Sequence, residues 1–205
     1  MKKRPPTPLR DFLEQILDGT FYMEKVSISC IIPAFNEEKT IGGVVSILQD
    51  LKLKGIDTEI IVVSDGSNDQ TAERAREAGA DTVIDLKKNI GKGGAVIEGI
   101  KRATRDILLF LDADLVNLNV EHLQQMLAPV AKNEADMAIG FLTDMKTQNT
   151  FHFFSGQRVI KRVVVQDVID DRKFSKSRFQ FEILLNRLAR DLKLKTIFIP
   201  LSNLY

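Results

Sequence analysis

Short apolar runs alternate with amphipathic stretches from residue 26 to about residue 141, and that alternation predicts the fold. Residues 26–32 are apolar and β-branched and read as a strand that Pro33 ends. Residues 37–53 follow as an amphipathic helix with Asn36 as N-cap. Further strands are expected at 59–63, 81–84, 106–111 and 135–141, and helices at 70–78, 94–103 and 120–131. Strands that alternate with helices in this way imply a mostly parallel sheet with right-handed crossovers, an α/β domain.

After Phe141 the rhythm breaks. Residues 143–154 turn polar and then aromatic and read as a loop. Residues 158–165 fit a helix or a strand, and 170–177 are charged and loop-like. Residues 179–192 place apolar side chains at 181, 184, 185 and 188, a core-facing helix, and 196–200 form a last strand. At the other end, residues 1–8 read as a disordered lead, and 9–17 have helical spacing stopped by Gly19. The expected organisation is a lead with a short helix over 1–25 and a single domain over 26–205. Residues 26–116 would be its ligand-binding half and 117–205 its second half.

Composition narrows the class. With 205 residues, 29 Lys and Arg and 28 Asp and Glu, the chain can bury a core and carries a net charge of only +1. No nucleic-acid partner is expected from that balance. The apolar runs are strand-sized, too short for a membrane-spanning helix. Pro5-Pro6-Thr7-Pro8 stands where a signal peptide would need an apolar core, and Cys30 has no second cysteine to pair with. These features point to a cytoplasmic protein. Charge is unevenly spread. Residues 158–195 hold eleven basic and five acidic side chains, against eighteen and twenty-three elsewhere. That segment suits an anionic acceptor, a diphosphate or a membrane surface, or is simply a set of solvated helix faces.

Four segments at expected strand ends carry candidate chemistry. Asp112-Ala113-Asp114 leaves the apolar strand 107–111, where open α/β sheets bind ligands. On an extended chain, residues i and i+2 share a face about 6.5–7 Å apart, so the two carboxylates could converge on one hard cation such as Mg²⁺ or Mn²⁺. Pro33-Ala34-Phe35-Asn36-Glu37-Glu38 is a proline-fixed turn with acids in the first turn of a helix, where the helix dipole also stabilises them. Ser64-Asp65-Gly66-Ser67-Asn68-Asp69 is a polar turn that could read a nucleobase edge or form an Asx-turn. Asn89-Ile90-Gly91-Lys92-Gly93-Gly94 puts glycines and a point charge beside a helix N-terminus, a setting for an anion, although it is neither a Walker A loop nor a dinucleotide fingerprint.

In this order and spacing, residues 31–116 resemble the nucleotide-binding half of family 2 glycosyltransferases with the GT-A fold. The branch that holds the dolichyl-phosphate glucosyl- and mannosyltransferases and the glucosyl-phosphoglycerate synthases is the most similar. Phe154-Ser155-Gly156-Gln157-Arg158 and Phe181-Glu182 extend the resemblance more loosely, to roughly residues 26–200. The resemblance implies a GT-A, three-layer α/β/α domain. It also implies transfer of a sugar from a UDP- or GDP-linked donor to a polyprenyl phosphate or a small phosphorylated metabolite. Pro33, Ala34 and Glu37 would line the base and ribose, Asp65 would bond the pyrimidine, and Lys92 would lie near base or ribose. Asp112, with Ala113 beside it, would serve ribose and metal, and Asp114 would ligate a Mg²⁺ or Mn²⁺ ion on the diphosphate. Gly156 and Arg158 would help bind substrate, and the basic cluster 172–178 would suit an acceptor phosphate. Glu182 would be the catalytic base of an inverting transfer, with Asp167, Asp170 and Asp171 as competitors; a retaining enzyme needs no such base.

The chain departs from the family pattern in places. Ser64 stands where the family usually has a first aspartate, and no metal-binding histidine follows the last strand. His122 falls on an expected surface helix, while His152, beside the Ser-Gly-Gln-Arg element, could reach a diphosphate. Peripheral membrane contact and homodimerisation are both compatible with the sequence. A non-catalytic nucleotide-sugar or glycan-binding module, and a nucleotidyltransferase, are the alternative readings.

Overall fold

The computed structural model describes residues 26–143, 155–169 and 181–204. The expected lead and helix over 1–25, most of the loop 143–154 and the loop 170–177 lie outside the described residues, as do His152, Asp170, Asp171 and the 172–178 cluster.

Seven strands form one sheet among the described residues: β1 (Ser27–Ala34), β2 (Asp57–Ser64), β3 (Thr82–Asp85), β4 (Ile107–Phe110), β5 (Met137–Thr143), β6 (Arg158–Lys161) and β7 (Thr196–Ser202). Their spatial order is β3-β2-β1-β4-β6-β5-β7. All neighbours are parallel except β6, which runs antiparallel to both β4 and β5. The helices are α1 (Ile41–Leu53), α2 (Thr71–Glu77), α3 (Lys92–Arg102), α4 (Val120–Ala131), α5 (Arg162–Ile169) and α6 (Phe181–Asp191).

The period-two alternation of the strands divides the core. Ile28, Cys30 and Ile32 of β1 face one layer, which contains Val44, Val45 and Leu48 of α1 and Leu123, Met126 and Leu127 of α4. Ile31 of β1, Ile61 and Val63 of β2 and Leu108 and Phe110 of β4 face the other, with α3 and α6. Phe110 and Phe181 meet there edge to face, with ring centroids 4.9 Å apart. Each fully buried aliphatic side chain contributes about 1.5–3 kcal/mol. Burial pushes the Cys30 thiol well above its ordinary pKa, so it stays a small neutral core residue.

The structure corrects several sequence expectations. Pro33 does not end β1; it pairs with Val63 and the strand continues to Ala34. Its nitrogen faces the β4 side, beyond the last β1–β4 pair at Ile31 and Phe110, so no ladder bond is lost there. Asn36 does not cap α1 but takes a left-handed conformation, φ 57°. Helix α1 begins only at Ile41, after a turn in which Thr40 and Ile41 N–H donate to Glu37 O at 3.2 and 3.0 Å. Segment 158–165 is both strand and helix, since β6 passes directly into α5. His122 is buried, with Nε2 2.9 Å from Ser202 O, because α4 packs that face against the end of β7.

Candidate functional site

The C-terminal ends of β1, β2 and β4 and the loop before α3 enclose a cleft of about 410 Å³. That volume suits a small ligand, and the location is where parallel sheets bind them. Pro33, Ala34, Glu37, Asp65, Lys92, Asp112, Ala113 and Asp114 all line it, as the sequence anticipated. Phe35, Asn89 and Gly91 line it too. Gly91 belongs to the glycine segment expected to face an anion, whereas the sequence assigns no individual role to Phe35 or Asn89.

The floor is built by loops that hold one another. Asn36 N–H donates to Ser67 Oγ at 3.1 Å, and Asn68 N–H returns a bond to Asn36 Oδ1 at 2.9 Å. Glu37 N–H donates to Thr71 Oγ1 at 2.8 Å and Glu38 N–H to Asp69 Oδ2 at 3.2 Å. These bonds draw the amides of residues 36–38 out of the helix they were expected to start. The Glu37 carboxylate accepts from Thr40 Oγ1 at 2.9 Å, which fixes it at the cleft.

Asp65 is buried, and its Oδ1 accepts from Ile90 N–H at 2.7 Å. It therefore ties the end of β2 to the glycine loop that carries Lys92. Gly66, at φ 71°, makes this approach possible, since a Cβ there would collide with the backbone of Lys88 and Asn89. The neighbouring Ser64 hydroxyl is buried without a hydrogen-bond partner.

Asp112 and Asp114 are not on an extended strand. β4 ends at Phe110, and Ala113 and Asp114 form a turn, so the two carboxylates do not share a strand face as expected. Asp112 is partly buried and engaged on both oxygens. Lys92 Nζ lies 2.6 Å from Oδ1, and Gln157 Nε2 donates to Oδ2 at 2.9 Å. Lys92 Nζ also reaches Glu182 Oε1 at 2.8 Å. Partial burial disfavours the Lys92 charge, but Asp112 and then Glu182 outweigh it and hold the ammonium pKa above its usual value. Asp114 is exposed and makes no hydrogen bond or ion pair with another described residue.

Three expected site residues stand behind the cleft rather than in it. Gly156 backs Asp112, and a Cβ there would lie 2.5 Å from both carboxylate oxygens. Gly156→Ala is therefore expected to cost about 1–3 kcal/mol, the range for overpacked sites. Chemical denaturation checks this, and an unchanged midpoint would contradict the packing. Arg158 is fully buried, because β6 runs into the core between β4 and β5, and it is not open to an acceptor. Its Nε donates to Ser155 O at 2.8 Å and its Nη1 to Asn186 Oδ1 at 2.7 Å. Burial pushes its pKa down to about 10, against the pull of the Glu182 carboxylate, so it stays charged at neutral pH. Glu182, in the first turn of α6, is buried beside both cations. The Asp167 side chain lies outside the described residues. Gln157, the buried clamp on Asp112, lies inside the Ser-Gly-Gln-Arg element, yet the sequence alone assigns it no role.

Among the described residues no three His, Cys, Asp or Glu side chains gather as a metal cage. Two carboxylates beside an open cleft fit Mg²⁺ or Mn²⁺ all the same, because such ions take one or two protein carboxylates and complete their shell from phosphate and water.

The residues around this strand-end cleft sit in a three-layer α/β sheet, the architecture that binds ligands at its strand ends. The chain belongs to glycosyl transferase family 2, whose family model matches residues 29–190. It is 34% identical over 110 residues to a glucosyl-3-phosphoglycerate synthase of Mycolicibacterium smegmatis, covering 51% of this chain and 36% of that protein. It is 36% identical over 118 residues to a dolichol-phosphate mannosyltransferase of Pyrococcus furiosus, covering 56% and 33%. The matched stretch thus spans about a third of the length of these relatives. Among solved structures, the Mycobacterium tuberculosis glucosyl-3-phosphoglycerate synthase in complex with Mg²⁺ and UDP superposes with a TM-score of 0.72 at 21% identity, covering 100% of this chain and 77% of that one. The fold is the expected GT-A architecture. No helix among the described residues is long and apolar enough to cross a membrane.

Proposed function

We propose that the chain transfers a sugar from a nucleoside-diphosphate donor to an anionic acceptor, with Mg²⁺ or Mn²⁺ as cofactor. The observation that carries this reading is the convergence of Pro33, Ala34 and Asp65 with Lys92, Asp112 and Asp114 in one cleft, in a chain of this family. Asp65 keeps one carboxylate oxygen for a base edge, since Ile90 N–H takes the other. Pro33, Ala34 and Glu37 line the base and ribose side, and Phe35 offers an exposed aromatic face there. Lys92 supplies a positive charge toward the diphosphate. Asp114, with Asp112, holds the divalent ion, which when bound neutralises the charge that builds on the leaving diphosphate. UDP-glucose is the preferred donor, because the Mycobacterium tuberculosis glucosyl-3-phosphoglycerate synthase was also solved with Mn²⁺ and UDP-glucose. The acceptor is either a small phosphorylated metabolite such as 3-phosphoglycerate or a polyprenyl phosphate, as the relatives' names indicate. A cytoplasmic location, with peripheral membrane contact for a lipid-linked acceptor, goes with this proposal.

Glu182 is not assigned as the base. It does not line the cleft, and its carboxylate is already engaged by Lys92.

Release of UDP or GDP from UDP-glucose and GDP-mannose, measured with Mn²⁺ and each acceptor, tests the proposal. Acceptor-dependent release from one donor supports it. Mn²⁺-dependent UDP binding without any release would favour the binding-module reading instead.

A further inference from the structure

The carboxylate expected to share the metal is already held by a cation. Asp112 Oδ1 lies 2.6 Å from Lys92 Nζ, and its Oδ2 is fixed by Gln157 at 2.9 Å. A divalent ion needs a carboxylate oxygen at about 2.0–2.1 Å, close to where the ammonium sits. Two cations on one oxygen repel, so metal and Lys92 are alternatives at Oδ1.

Lys92 also has a second seat. Glu182 Oε1 lies 2.8 Å from the same ammonium, on a different element and at the buried end of the cluster. Arg158 stands fully buried behind Glu182 and holds that carboxylate in place electrostatically. Gly91, at φ 87°, starts α3 so that Lys92 leaves from its first turn with a flexible four-carbon stem. The stem lets the ammonium lean toward Asp112, Glu182 or an anion in the cleft without moving the backbone.

Building on the metal and diphosphate reading above, we propose that Lys92 is a built-in counter-cation of Asp112 that competes with the divalent ion. The chain alone then takes up metal weakly. A nucleoside diphosphate draws Lys92 off Asp112 and frees the oxygen, while Glu182 keeps the ammonium at the cleft wall. Glu182 is accordingly a positioning residue that acts through Lys92. By linkage, metal and nucleotide each raise the other's affinity by the same factor.

The test is Mn²⁺ binding followed by electron paramagnetic resonance of the free ion, with and without UDP, on the wild-type chain, Lys92→Met and Lys92→Arg. Lys92→Met is expected to bind Mn²⁺ alone at least about fivefold more tightly than wild type, the lower end of usual coupling, and to lose most of the enhancement by UDP. Lys92→Arg, which keeps the charge, is expected to restore weak uptake. If Lys92→Met binds Mn²⁺ alone no better than wild type, or Lys92→Arg binds as tightly as Lys92→Met, the competition is wrong while UDP-dependent uptake by wild type still upholds the metal site. No Mn²⁺ uptake by any form, even with UDP, would overturn both.

Discussion

On the proposed function, Asp114→Ala is expected to lower kcat/KM for sugar transfer by about 10²–10⁴-fold, because it would remove a ligand of an ion that supplies several kcal/mol of transition-state stabilisation when bound. The fold should hardly notice. Asp114 is exposed and makes no hydrogen bond or ion pair with another described residue, so its loss should change stability by no more than about 0.5 kcal/mol. The contrast with Asp112 is informative. Asp112 is clamped by Lys92 and Gln157 and backed by Gly156, so substituting it disturbs packing and charge together. Initial rates across a Mn²⁺ series, paired with a thermal melt, separate the two effects. A variant that melts normally and keeps near-wild-type kcat/KM at low Mn²⁺ would remove Asp114 from the metal site.

Arg158→Met is expected to have the largest effect on stability. The guanidinium is fully buried, bonded to Ser155 O and Asn186 Oδ1, and balances Glu182. Removing one member of a buried charge cluster typically costs about 3–5 kcal/mol. At about 2–4 °C per kcal/mol for a chain of this size, Tm should fall by about 10 °C. Arg158→Lys should recover only part of the loss, since one ammonium cannot reproduce the two diverging bonds. A Tm unchanged in Arg158→Met would show that Arg158 is not a keystone between β6 and α6.

The nucleotide-facing half of the site was legible because its chemistry is local in sequence. Each motif follows a strand, and a parallel sheet brings strand ends together, so Pro33, Asp65 and Asp112 were bound to meet once the alternation was read. What failed depended on partners distant in sequence. Asn36 reads as an N-cap until Ser67 and Asn68 claim it. Pro33 reads as a strand end until its nitrogen is seen to face beyond the paired length of β4. Arg158 reads as a substrate-binding cation until the antiparallel placement of β6 is seen to bury it. The pairing of Glu182 with Lys92, ninety residues earlier in the chain, likewise appears only once α6 is in place. Tertiary context decided each of these, and pattern alone does not carry it.

On the proposed function, one cleft binds a nucleoside diphosphate and a divalent ion together. Calorimetric titration of UDP, with and without Mn²⁺, on the wild-type chain and Asp114→Ala tests it most directly. The predicted result is UDP binding at least about tenfold tighter with Mn²⁺ in the wild type, within the usual range of coupling between sites, and no Mn²⁺ effect in the variant. UDP binding that is absent, or equally tight with and without Mn²⁺ in the wild type, would contradict it.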